Sequence, residues 1–205
     1  ENSEVFRPTL YDFLAHRALE FFMHDDNELT RPAFVFQVND VQYFDPAEKF
    51  IKMKLKSQDT SALKYKAILI LQELIAFHLQ DDNPDALVDI DLHRLAFVHE
   101  NIVGIAQPDQ AYLEALQHLK SNYSDHAIST RVTYQMALLH EKLGNQYDPH
   151  EAPQYQWELK KAVDLCDEAI GSFSASIGAN NCKVVKSRIE QIGRASCRER
   201  VCVGV

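Results

Sequence analysis

The stretch that most narrows what this chain can become runs from Arg131 to Phe173. Val132, Met136, Leu139 and Leu143 recur at spacings of four, three and four, which places them on one face of an α-helix. Gly144 is expected to end that helix, because glycine enters the left-handed C-cap conformation without steric cost. A second helical run follows in YQWELKKAVDLCDEAIGSF. Ala162 and Ala169 stand seven apart within it, so two small side chains share a face and let a neighbouring backbone approach. The two runs are expected to fold back on each other.

This pattern resembles the tetratricopeptide repeat. Leu143-Gly144 followed by Tyr147 matches the Leu-Gly-x-x-Tyr core of that repeat, and Ala162 and Ala169 fall where its second helix carries small residues. The departure is the loop, where about 6 extra residues, DPHEAP, separate the halves relative to a repeat of roughly 34. Trp157, Tyr147 and Tyr155 cluster around this loop. Either they pack it against the hairpin or they line a peptide groove, and they are the candidate interaction surface.

The remaining chain reads mostly as helix. Thr9 to Met23 carries Leu10, Phe13, Leu14, Ala18, Phe21 and Phe22 as a broad apolar face, with a capping-box arrangement of Thr9 and Asp12 and a stop at Asp25-Asp26-Asn27. Leu29 to Asp45 is the least helical part. Phe34, Phe36 and Val38 alternate there, so it is expected to be an extended aromatic strap lying on helices, with a strand as the alternative. Pro46 to Leu55 is a short helix, and Ser57 to Thr60 is a polar break. Ala62 to Leu79 is apolar around much of its circumference and is expected to be central. Ala86 to Ile102 presents Leu92, Leu95, Ala96 and His99 on one side. Asp109 to Tyr123 uses Tyr112, Leu113, Leu116 and Leu119, and Ala179 to Gln191 turns Cys182, Val185 and Ile189 inward. The tally is about seven helices. The expected class is all-α, an irregular antiparallel helical array of the tetratricopeptide or α-solenoid type with one extended segment, forming a single domain over 1–191.

Composition supports that class and removes others. Only 6 Gly and 7 Pro among 205 residues disfavour a β-sandwich that needs a turn every few residues. A net charge of −9 without a basic stripe repels phosphate backbones, so no nucleic-acid partner is expected. No apolar run reaches the length of a membrane span. The segment IGRASCRERV, Ile192 to Val201, resembles a translated sequencing adapter and breaks the helical pattern, so 192–205 is read as a non-native scar. The chain opens on Glu1 without a leader and is read as an internal fragment.

Reactive chemistry is sparse. Among the nine histidines, His140-Glu141 lacks a second ligand four residues on, while His93 and His99 lie six apart and face different ways. They are read as scattered surface or semi-buried side chains, and no metal or cofactor is expected. There is no Gly-x-Ser-x-Gly elbow. Asp81-Asp82-Asn83 and Asp89 to Asp91 lack the ligand alternation of a calcium loop and are read as helix caps and solvated turns. Cys166 and Cys182 both lie on apolar helix faces, either as buried free thiols or as one bridge between neighbouring helices.

Three blocks taken together resemble a larger arrangement: TLYDFLAHRALEFF, NPDALVDIDLHRLAFVHENI, and the run from Tyr112 to Gln191. Their order is similar to the helical region that precedes the macroglobulin domains in alpha-2-macroglobulin-like proteins of Bacteroidota. The resemblance implies a parent protein of the protease-trap, endopeptidase-inhibitor kind, located in the periplasm or cell envelope. Many members of that family capture proteases with a Cys–Gln thioester, but no Cys-x-x-Glu-Gln run exists here, so no functional residue carries over. The expected function is a non-catalytic interaction or spacer module whose partners are other domains of the parent or a protein or peptide. The alternative is a free-standing tetratricopeptide-type adaptor that holds an extended peptide in a concave groove.

Overall fold

The computed structural model of the chain describes residues 3–24 and 34–202, with the backbone alone at 192–202. The helix stop at Asp25-Asp26-Asn27 and the first part of the strap, 29–33, lie outside the described residues. Among those residues the fold is all-α, with nine α-helices and no sheet. Two of the nine, α1 (Ser3–Phe6) and α3 (Ala47–Phe50), are single turns. The others are α2 (Leu10–Phe22), α4 (Leu63–His78), α5 (Asp85–Asn101), α6 (Pro108–Asn122), α7 (Ser129–Gly144), α8 (Glu158–Ser172) and α9 (Ile177–Cys202). The chain forms two compact units, Glu1–His118 and Leu119–Val205.

In the first unit the helix ends follow local chemistry. The Thr9 hydroxyl accepts from the Asp12 backbone N–H at 3.2 Å, and the Asp12 carboxylate accepts from the Thr9 backbone N–H at 2.8 Å, a reciprocal capping box. Asp59, in the polar break before α4, is buried because its carboxylate accepts from the backbone N–H groups of Ser61 and Ala62 at 3.1 Å each. The strap has one point of β pairing. Val38 bridges Ile102 in parallel, and the Val103 N–H donates to the Val38 carbonyl at 2.9 Å. Phe36 and Val38 are buried while Phe34 is exposed. A 3₁₀ turn, Val41–Phe44, replaces the extended reading toward the C-terminal end of the strap.

The central element is α5 as much as α4. Both bury long apolar runs, but α5 also buries Asp89, Asp91 and Arg94 within the same turns as Leu87, Val88, Ile90 and Leu95. The one-sided reading of this helix and the solvated-turn reading of Asp89 and Asp91 are therefore corrected. Asp91 could not be recognised as buried because its partner Arg94, three residues on, is itself enclosed by carbonyls remote in sequence. The Arg94 guanidinium donates to the Asp91 carboxylate at 2.7 Å and to the carbonyls of Tyr43 and Asp45 at 2.7 and 2.9 Å, and it lies 4.5 Å from the Phe50 ring centroid. One residue thereby ties the 3₁₀ turn and α3 to α5.

In the second unit α7, α8 and α9 all pack against one another. Gly144 at the end of α7 meets Leu159 at the start of α8, and Thr130 at the start of α7 hydrogen-bonds Ser176 beyond the end of α8, so the pair is antiparallel. The expected small residues are where the helices meet. Ala137, Ala162 and Ala169 share a core cluster with Cys166, Cys182, Val185 and Ile189. Gly144, however, does not adopt a left-handed conformation. Among the described glycines a positive φ occurs at Gly104 alone, and α7 closes on Asn145 in right-handed geometry. Gly144 is required for proximity instead, since a Cβ there would stand 2.8 Å from the Leu159 backbone nitrogen. Backbone helix in α9 continues through Cys202, past Ile192 where the sequence pattern breaks. Loss of an apolar stripe does not stop propagation when the following residues, such as Arg194, Ala195 and Glu199, form helices well.

Candidate functional site

The feature of the first unit that most resembles a working surface is α2, which is packed the opposite way from its sequence pattern. Successive residues of a helix are 100° apart, so Leu10, Leu14, Arg17 and Phe21 fall in one narrow stripe with Phe13 at its margin. The pattern places this stripe against a core. In the structure Leu10 is 73% exposed, Leu14 58%, Phe21 52% and Phe13 49%, and the buried residues are Asp12, Ala15, His16 and Leu19. The expected inward face is therefore the outward one. Phe22 is half-buried, with the Lys66 ammonium 5.6 Å from its ring centroid.

The reversal follows from polar contacts that hold the other side of α2. Asp12 is fully buried and accepts from His78 Nε2 at 2.9 Å, and the opposite ring nitrogen of His78 lies 2.7 Å from Asp81. A buried carboxylate is tolerable only when hydrogen-bonded, so this carboxylate–imidazole–carboxylate chain sets the rotation of α2 about its own axis. Next to it His16 packs edge-on to His93, with ring centroids 5.7 Å apart. Burial lowers His16 to about 4, helped by the charges of Arg7 and His93 and opposed by the carboxylates of Asp89 and Asp12. Ala15 gives the close approach, and only Leu19 provides a large apolar contact from the buried side. The exposed apolar surface extends onto α4, where Phe77 is 43% exposed and meets the Tyr11 ring edge-on at 5.3 Å. An apolar stripe backed by a charged network is suited to binding another apolar surface.

The aromatic residues singled out from the sequence lie in the second unit, in and beside the loop between α7 and α8. The Asp148 carboxylate organises this loop by accepting from the backbone N–H groups of His150 and Glu151 at 2.7 and 2.9 Å, and those bonds hold it below the usual carboxylate range. Trp157 is 61% exposed and Tyr147 41%, with Tyr155 half-buried. The residue after Trp157 belongs to a buried ionic group. Glu158 lies 2.5 Å from His140 Nδ1 and 2.7 Å from the Lys161 ammonium. Burial raises the Glu158 carboxyl, but the hydrogen bonds from Lys161 and His140 outweigh it and hold the group below its ordinary value. On the same helix turn Glu141 pairs with Arg188 through two bonds of 2.7 and 2.5 Å.

The histidines are thus more buried than the sequence suggested. His16, His78 and His140 lie in the interior, and His78 and His140 bond carboxylates donated by other helices. The sequence signal for this was absent, because Asp12 and His78 are separated by 66 residues. Among the described residues no three His, Cys, Asp or Glu side chains are arranged to hold a metal ion, and no helix is long and apolar enough to cross a membrane. Compared with family models, with curated proteins and with solved structures, the chain matches none of them.

Proposed function

We propose that this chain is a non-catalytic helical interaction module and that the outer face of α2 is its contact surface. The observation that carries this reading is the outward stripe of Leu10, Phe13, Leu14 and Phe21, held in that orientation by the buried Asp12–His78 contact. On the resemblance to the helical region of exported alpha-2-macroglobulin-like proteins, the occupant of that stripe is another domain of the same polypeptide in the periplasm or cell envelope. The test begins with the gene that encodes this segment. If it encodes β-rich domains next to this segment, those domains are expressed separately and titrated against the chain. Binding should be saturable and fall at least tenfold in Phe13→Asp/Leu14→Asp. An open reading frame without such domains would sink the assignment.

A second reading is favoured by one observation of its own. The alanine-mediated packing of α7 on α8 and the outward ring of Trp157 are what a tetratricopeptide-type adaptor for an extended peptide would use. Trp157 is the sole tryptophan, so its emission reports directly on that surface. A blue shift on adding an extended peptide, lost in a Tyr147→Ala variant, supports the adaptor. Unchanged emission across a peptide library counts against it.

A further inference from the structure

The buried core of the second unit holds two thiols. Cys166 on α8 and Cys182 on α9 are both free and fully buried. They share a cluster whose other members are Ala137, Ala162, Ala169, Val185 and Ile189, all of them apolar. The helices that carry them are packed together, and the Lys186 ammonium on α9 bonds the Asp167 carboxylate on α8 immediately beside the pair. Each thiol lies close enough to the other to move its titration, Cys166 down and Cys182 up. The chain therefore holds two cysteines in one buried cluster, carried by helices packed on each other.

We propose that Cys166 and Cys182 are a thiol–disulfide exchange pair, closing into an intramolecular bridge with a small-molecule disulfide as oxidant. The two sulfurs are not equivalent. The neighbouring Cys182 thiol lowers Cys166 below the ordinary thiol range, with a smaller contribution from Lys186, while burial, Asp167 and Glu141 act against it. The neighbouring Cys166, together with burial, pushes Cys182 up. Cys166 is thus the attacking thiolate and Cys182 the resolving thiol. In the first step the Cys166 sulfur attacks one sulfur of the oxidant, its S–S bond breaks, and one thiolate leaves. In the second the Cys182 sulfur attacks the mixed disulfide at the Cys166 sulfur and expels the second thiolate. The two protein thiols are oxidised, the oxidant is reduced to two thiols, and the two protons released by the cysteines end on those leaving groups. Because both sulfurs are fully buried, the exchange runs through an opening of α9 from α8, and the closed bridge is sheltered from reductant once the helices repack.

The inference does not depend on the proposed interaction role. It is tested on the full chain carrying Cys197→Ser and Cys202→Ser, which removes the other two thiols. The folded protein is incubated with glutathione disulfide, quenched with iodoacetamide in denaturant, and digested for peptide mass mapping. The expected product joins the Cys166 and Cys182 peptides with the loss of two hydrogens. It should melt on the order of 10 °C higher, because the bridge closes a loop of about 15 residues. In the two-thiol chain a limiting pulse of iodoacetamide should alkylate Cys166 before Cys182. Recovery of both cysteines alkylated after incubation would overturn the proposal, as would a stable glutathione adduct without bridge formation.

Discussion

Single residues in this chain are governed by what lies across a helix interface more than by what adjoins them in sequence. The glycines make the point. A Cβ at Gly178 would stand 2.2 Å from the Thr130 carbonyl carbon, whereas one at Gly171 meets nothing within 4 Å. Gly178→Ala should therefore destabilise the second unit by about 1–3 kcal/mol through overpacking, while Gly171→Ala should be neutral or stabilise α8 by up to ~1 kcal/mol. Urea denaturation of the two variants checks the pair, and equal losses would contradict the packing described. His16 gives a prediction in pH. Its folded value is depressed to about 4 from 6.5, so the unfolded chain takes up the proton first as pH falls. The contribution is fully present above 6.5 and is lost as pH falls from 6.5 toward 4, by at most about 1.4 kcal/mol per pH unit. His16→Gln should flatten the urea midpoint across that window, and parallel curves for the two proteins would assign the dependence to another group.

At the scale of elements, the periodicity located the long helices but misjudged which side of α2 faces inward and how much of α5 is buried. For α7 the face was legible. Val132, Met136 and Leu139 are buried as their spacing requires. Leu139→Ala should cost about 2–5 kcal/mol, and Leu165→Ala, at a half-buried site, should fall at the low end of that range. For α2 the face was not legible, and for α5 the burial of its polar side was not, because a carboxylate or guanidinium counts as polar in any pattern until its surroundings are known. Arg94 is 1% exposed and serves two carbonyls as well as Asp91. Arg94→Ala leaves a buried carboxylate and two carbonyls unsatisfied and should cost about 3–5 kcal/mol. Adding Asp91→Asn should recover part of that loss, and a purely additive double variant would show that the two residues do not act together.

For the whole molecule the consequential fact is an apolar stripe left outside while charged groups are taken in. Exposed substitutions away from caps and cores change stability little, so Phe13→Asp and Leu14→Asp should shift the unfolding free energy by no more than about 0.5 kcal/mol. They should also reduce the fluorescence of an apolar dye bound to the native protein, because the dye's surface is removed. A large stability loss without a change in dye signal would mean that the stripe is part of a core. The same reasoning explains why the candidate surface was missed from the sequence. Leu10, Phe13, Leu14 and Phe21 read as core for the reason that makes them a good interface: both need a continuous apolar face.

What the residue order settled unaided was local: helix positions from the apolar period, the Thr9–Asp12 capping box, and the small side chains where α7 meets α8. These depend on interactions within a few turns of chain, and such interactions are written in spacing. The direction in which α2 faces, the burial of Asp89, Asp91 and Arg94, and the meeting of Cys166 with Cys182 were decided only by tertiary structure. Each depends on what a segment remote in sequence packs against it, and no spacing along the chain encodes that segment.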